Sequence, residues 1–163
     1  MIFWYSASGS SEVFAEVLGQ IASEPTNEII TSFDAKPKPF IRAAFASFLA
    51  LAFGKIPNLF SIFEDNKKEN EKFFIVCPVW AGRPAFPVFS LLEAEKFKKL
   101  VGDAPINMLL TAAAPSPKQA EKATKKLKAL GLTPGIIESF AGKGAKDREI
   151  IEEHIKKIYF ENV

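Results

Sequence analysis

Short, continuous apolar runs alternate along the chain with longer stretches in which apolar positions recur every three or four residues. The run Ile2-Phe3-Trp4-Tyr5 has no polar face, as expected of a strand buried on both sides, so Met1–Tyr5 is read as a strand. Val13, Phe14, Val17, Leu18 and Ile21 then fall on one helical face, which predicts a helix over Ser11–Ser23, ended by Pro25. The same logic gives strands at Asn27–Phe33, Phe73–Cys77, Pro105–Leu110 and Pro134–Phe140. It gives helices at Val88–Leu100, from Pro115 or Ser116 to Leu130, and at Lys146–Phe160. In the second of these, Ala120, Ala123, Leu127 and Leu130 face inward and Lys118, Lys122, Lys125 and Lys128 outward, with Gly131 as the cap. Pro78–Pro87, Thr111–Pro115 and Ala141–Ala145 read as loops. Strands alternating with helices predict an α/β fold: a five-stranded parallel sheet covered on both faces, in a single domain over residues 1–163.

One stretch does not belong to that alternation. Pro39–Gly54 is rich in Ala, Leu and Phe, opens after a proline, closes at a glycine and carries Arg42 as its only charge. It predicts an extra apolar helix between the second and third strands, within an insert of about residues 35–71. It is shorter than the ~20 apolar residues that a bilayer crossing needs. Phe40, Phe45, Phe48 and Phe53 offer more apolar area than one helix face buries, which points to packing over the domain or a homodimer through residues 40–53. Peripheral membrane contact is the weaker reading, because the segment lacks a Lys/Arg stripe.

Composition adds little until it is divided along the chain. With 48% hydrophobic and 25% charged residues it is ordinary for a globular domain. The formal charge is +2, but residues 1–35 hold five acids and no Lys or Arg, leaving 21 basic against 14 acidic residues in the rest. That excess reads first as solvated helix surface and second as a surface for an acidic partner or anionic lipid. A nucleic-acid partner is not expected. The single cysteine, Cys77, excludes a disulfide framework, a cysteine-ligated cluster and a zinc ribbon within one chain, and it fits a reducing compartment. With no basic, apolar leader at Met1, the expected location is cytoplasmic.

In an open α/β sheet, ligands bind beyond the carboxyl ends of the strands. The loops to inspect are therefore Ser6–Ser11, Pro78–Pro84 and Thr111–Ser116, and none of them holds a His, Asp or Glu. That excludes the acidic cluster of a receiver domain. Gly142-Lys143-Gly144 lacks the hydroxyl residue of a phosphate-binding P-loop, and Gly9 alone does not make a dinucleotide fingerprint. What remains is a nest of hydroxyls and backbone N–H groups at a helix N-terminus, suited to a phosphate. Around it lies small, apolar and aromatic surface.

These residues also carry a resemblance. Ser6-Ala7-Ser8-Gly9-Ser10-Ser11 is similar to the phosphate loop of flavodoxins, with serines in the threonine places, and Phe73–Pro84, ending Pro78-Val79-Trp80-Ala81-Gly82-Arg83-Pro84, resembles the strand-three segment of flavodoxin-like proteins. The resemblance implies a flavodoxin-like three-layer sandwich in strand order 2-1-3-4-5 and bound flavin mononucleotide (FMN). It implies that Ser6, Ser8, Gly9, Ser10 and Ser11 hold the phosphate. Pro78, Val79, Trp80, Ala81 and Gly82 would line the ring, with Trp80 stacking, and Thr111, Ala112, Ala113 and Ala114 would form the loop on its other side. Arg83 is read either as a surface cation or as a partner of the flavin edge. The chain departs from electron-transferring flavodoxins in being mildly basic and in lacking an aromatic residue after strand four, which would leave one ring face open. The expected function is an FMN-dependent redox protein, either electron carrier or small reductase, working with a redox partner protein or small electron acceptor. The competing reading is a flavin-free interaction module that acts through the apolar insert. Cys77 and His154 are read as structural and surface residues, without a role in chemistry.

Overall fold

The computed structural model describes residues 1–31, 58–60, 71–141 and 147–160. The predicted helix at 39–54 and the dimer contact through 40–53 lie outside the described residues. The elements are β1 (Ile2–Trp4), α1 (Ser10–Ala22), β2 (Thr26–Glu28), β3 (Phe73–Trp80), β4 (Arg83–Pro84), α2 (Phe86–Glu93), α3 (Glu95–Val101), β5 (Ile106–Ala112), α4 (Pro117–Ala129), β6 (Pro134–Ala141) and α5 (Arg148–Phe160). The main sheet runs β2-β1-β3-β5-β6, and all four pairings are parallel. The two-residue β4 pairs antiparallel with the end of β3. With that short hairpin set aside, the strand order is the expected 2-1-3-4-5.

Burial on both faces explains the continuous apolar runs. In β3, Phe73, Ile75 and Cys77 join one core cluster while Phe74 and Val76 join the other. The first cluster packs under α2, α3 and α4 through residues such as Leu91, Phe97 and Leu127. The second packs under α1 and α5 through Phe14, Leu18, Ile151 and Ile155. Phe97 is fully buried and meets Phe3 edge to face, with ring centroids 5.3 Å apart. Burial of one such side chain contributes roughly 1.5–3 kcal/mol.

Three boundaries differ from the sequence reading. The segment after Cys77 is not loop from the start: β3 continues through Pro78, Val79 and Trp80, turns at Ala81-Gly82 and returns as β4. Pro78 is tolerated because β1 has already ended opposite Val76, so a missing N–H on that side breaks no ladder bond. The helix expected over Val88–Leu100 is two helices, parted at Ala94, which holds an extended ψ of 124°. The break follows a change of environment. Seven residues from Phe86 to Leu92 are all buried, whereas α3 buries only Phe97, Leu100 and Val101 beneath a charged outer face. The second strand is shorter than expected, ending at Glu28, although Ile29 N–H still donates to the Trp4 carbonyl at 2.6 Å.

Among the described residues, β5 buries two polar side chains, Asn107 and Thr111, and Asn107 lies within the sheet. Asn107 in β5 donates from Nδ2 to the Phe73 carbonyl at 3.2 Å and accepts at Oδ1 from the Ile136 N–H at 2.9 Å. It therefore bridges β3 and β6 where the β5–β6 register shifts between Ile106 and Met108. Gly135 leaves room for it, since a Cβ there would collide with Asn107 Oδ1. Asn107→Ala orphans both backbone groups and should destabilise the fold by about 1–3 kcal/mol in a urea titration. Gly135→Ala should cost a similar amount by displacing the same amide, and an unchanged midpoint for both variants would contradict the bridge.

Candidate functional site

All strands of the parallel sheet end on one edge, and three connecting segments meet there. The first, Tyr5 to Gly9, leads from β1 into α1. Gly9 is the N-cap with a φ of 86°, a left-handed conformation that glycine adopts freely. A Cβ built on Gly9 would meet nothing within 4 Å. The Gly9 N–H donates to Ser6 Oγ at 2.9 Å, which folds the segment back on itself. Ala7 and Ser8 are exposed, and Ser6, Gly9 and Ser10 are half-buried.

Two of the helices that begin at this edge, α1 and α4, differ at their N-termini. The start of α4 is closed by a full capping box: Ser116 Oγ accepts from the Lys118 N–H, and Gln119 Oε1 accepts from the Ser116 N–H. The start of α1 has no side-chain cap. The first backbone N–H groups of a helix have no partner within it, and the dipole favours negative charge there. The helix α2 also starts without a side-chain cap, but at the fully buried Ala85; the α1 start, bordered by Ser8 and Ser10, is an anion-favouring end beside exposed chain.

Two contacts tie the three segments together. Ser11 Oγ and Thr111 Oγ1 lie 2.7 Å apart, both residues buried, joining α1 to the end of β5. Tyr5 and Trp80 meet edge to face at 5.6 Å and 86°, joining the first segment to the end of β3. Pro78 is in register with Thr111, which sets the second and third segments side by side. Trp80 and Val79 are half-buried, while Ala81, Arg83, Ala113 and Ala114 are exposed and Ala112 is buried. Ala81 and Gly82 have φ values of 50° and 73°, the signature of a tight two-residue hairpin. For Ala81 this conformation costs roughly 1–2 kcal/mol. Trp80 is carried on that hairpin.

The structure therefore brings the three connecting segments together at one edge, but their residues are not equivalent. Ser11 is a buried tie, with its hydroxyl engaged by Thr111. Tyr5, read only as the end of a strand, supports Trp80. Lys122 also reaches this edge: a Cβ on Gly82 would lie 3.1 Å from its Nζ. Helical spacing marked Lys122 as outward-facing and gave no hint of which hairpin it would meet.

Among the described residues, no group of three or more His, Cys, Asp and Glu side chains is placed to hold a metal ion. No described helix is long and apolar enough to cross a membrane. Cys77 is fully buried, and desolvation pushes its thiol up to about 12, with the Ala85 backbone offsetting a little. His154 is exposed, with Nδ1 2.9 Å from the Ile150 carbonyl oxygen and its ring against Phe140. A cavity of about 720 Å³ lies beside the three segments, between α4 and the edge strand β6. Ala120, Thr124, Ile137 and Ser139 line it, and it reaches this edge at Pro115 and Ser116. Its walls are one face of α4 and the β6 residues Ile137, Glu138 and Ser139, and Lys125 and Lys128 also line it.

No protein-family model matches the sequence, and no curated protein does. Solved structures do match the fold. A flavoprotein from Lactobacillus acidophilus NCFM, crystallised in complex with FMN, superposes with a TM-score of 0.69 at 19% identity, over 91% of this chain and 96% of that one. The apo form of the Lactobacillus acidophilus flavoprotein, solved by NMR, gives 0.58 at 18% identity, over 90% and 94%. The flavodoxin, WrbA-like protein from Agrobacterium tumefaciens gives 0.52 at 13% identity, over 94% and 96%. Together with the strand order, these likenesses show a flavodoxin-like fold.

The Ser11–Thr111 tie is measurable on its own. Ser11→Ala should destabilise by about 1–3 kcal/mol by orphaning a buried hydroxyl. Combined with Thr111→Val it should show a coupling of about 0.5–1.5 kcal/mol in a double-mutant cycle, and strictly additive losses would contradict the tie. Cys77 should not react with a disulfide reagent in the folded protein at mildly alkaline pH and should react fully in denaturant. Because folding raises its pKa, the associated stability is complete below the ordinary thiol value of 9.0 and is lost as pH rises towards about 12. Fast labelling of the native protein would contradict this placement.

Proposed function

We propose that the chain binds FMN at this edge and works as a redox protein that exchanges electrons with an outside partner. The observation that carries the reading is the contrast between two helix starts: α4 is capped by its own side chains, whereas α1 has no side-chain cap, with Ser8 exposed beside Gly9 and open space around it. A phosphate fits that end by charge, by hydrogen bonding and by room. The flavodoxin-like fold and the structure of a neighbour crystallised with FMN support the same ligand.

In this reading Ser6, Ser8 and Ser10 offer hydroxyls, and the first turn of α1 offers N–H groups, to the FMN phosphate. Ser11 and Thr111 hold that turn against β5. Val79 and Trp80 supply the apolar wall for the ring, with Tyr5 fixing the Trp80 plane. Pro78, Ala81 and Gly82 shape the hairpin that presents them. Ala112, Ala113 and Ala114 border the other side with small side chains, leaving that ring face accessible. Bound FMN supplies one- and two-electron redox chemistry of its own. The protein contributes no acid or base from the three segments, so its part is to bind, orient and shield.

Titration with FMN should quench flavin fluorescence, and riboflavin, which has the same ring without the phosphate, should bind at least tenfold more weakly. Ser8→Glu sets a carboxylate against the phosphate, at a cost of about 1–4 kcal/mol at contact distance. That is a loss of about fivefold or more in affinity. Trp80→Ala should weaken FMN and riboflavin alike, by about 0.5–1.5 kcal/mol beyond the lost contact area. Equal binding of FMN and riboflavin would remove the phosphate assignment, and no binding of either would leave the interaction-module reading in its place.

A further inference from the structure

We infer that the hairpin at Arg83 and the outer face of α4 form a docking surface for an acidic protein, the redox partner of the proposed flavin site; the redox role rests on that reading, the surface does not. Arg83 follows the Ala81-Gly82 turn, and Lys122 Nζ reaches the same turn from α4. Two cations distant in sequence thus meet at the rim of the site. Lys118, Lys125 and Lys128 continue the row along α4, and all five side chains are exposed.

Density sets this row apart: Lys99 on α3 and Arg148 and Lys157 on α5 also have no acidic partner among the described residues, but none of them belongs to such a row. Lys126, on the flank of the same helix, binds Glu93 Oε1 at 2.9 Å and lies over the Phe89 ring. Lys98 pairs with Glu95 and Lys156 with Glu152. Among the described residues, none of the five rim cations has an acidic partner, and Glu121 is the only acid on α4. Like charges gathered on one face repel one another and raise the potential there, and carboxylates from outside would relieve this.

Size and shape favour a protein over a small anion. Lys118 to Lys128 spans about 15 Å of helix. Next to the row lie Ala81, Ala113, Ala114 and Pro115, exposed and small, with Trp80 half-buried between the segments. A small apolar centre beside a charged border is the usual anatomy of a protein interface. Across the sheet, the charged side chains of residues 1–31 are all acidic: Glu12, Glu16, Glu24 and Glu28. Of these, Glu12 sits in the first turn of α1, beside the site, whereas Glu24 pairs with the Met1 amino group at the opposite end of β1; Glu12 turns an acidic partner towards α4.

The test uses poly-glutamate as the probe, on the FMN-free protein, with backbone amide shifts as the readout. The expected result is perturbation concentrated at residues 82–83 and 118–128 that fades as salt is raised. Arg83→Glu combined with Lys122→Glu should weaken the interaction at least tenfold. Lys99→Glu combined with Lys157→Glu makes the same change in net charge elsewhere and should leave it within twofold. Equal weakening by both pairs, or shifts spread over all lysine-bearing helices, would overturn the docking surface. On the FMN-loaded, photoreduced protein, oxidation by ferricyanide should slow with added salt and oxidation by hexaammineruthenium(III) should quicken; the opposite signs would overturn the proposed electron-exchange role. A chain that binds no flavin yet docks poly-glutamate at the rim would remove that role and keep the surface.

Discussion

The architecture depends on the complete enclosure of β3. Its first five residues, Phe73–Cys77, are buried, its faces are covered by two separate core clusters, and β1 and β5 occupy both its edges. A strand enclosed in this way must be apolar throughout, and parallel neighbours must leave the sheet at the same end. That constraint brings the segments after β1, β3 and β5 to one edge. The candidate site arises from topology first and from side-chain chemistry second.

Chemistry then depends on how firmly those segments are joined. Asn107 fixes β3, β5 and β6 from within the sheet, the Ser11–Thr111 contact joins α1 to β5, and Tyr5 braces Trp80. Each uses a buried or half-buried side chain whose partners lie on a neighbouring element. The surface that remains for a ligand is hydroxyl, amide and small apolar. Such a surface can grip a phosphate and lie against a ring, and it leaves electron chemistry to whatever it holds. Rim charge completes the picture, with Glu12 in the first turn of α1 and, among the described residues, cations without an acidic partner at Arg83 and along α4.

Much of this was legible in the chain. Continuous runs such as Phe73–Cys77 read as strands covered on both faces, their alternation with periodic helices led to the parallel sheet, and the resemblance to flavodoxin-like proteins supplied the strand order that the structure shows. Serine clustering next to Gly9 marked the open helix start. What escaped has physical causes. The extension of β3 through Pro78 depends on where β1 ends, which no local pattern reveals. Division of α2 from α3 at Ala94 follows a change in burial without any glycine or proline to announce it. The roles of Tyr5 and Lys122 come from side-chain contacts across the edge, and that of Asn107 from two backbone partners on neighbouring strands.

The most direct test of the account is an amide and indole chemical-shift map of the protein titrated with FMN. The account predicts perturbation at Ser8 to Glu12, at the Trp80 indole and at Ala112 to Ala114, with the 720 Å³ groove between α4 and β6 unaffected along Thr124, Ile137 and Ser139. A map centred on that groove, or no change at the start of α1, would contradict it.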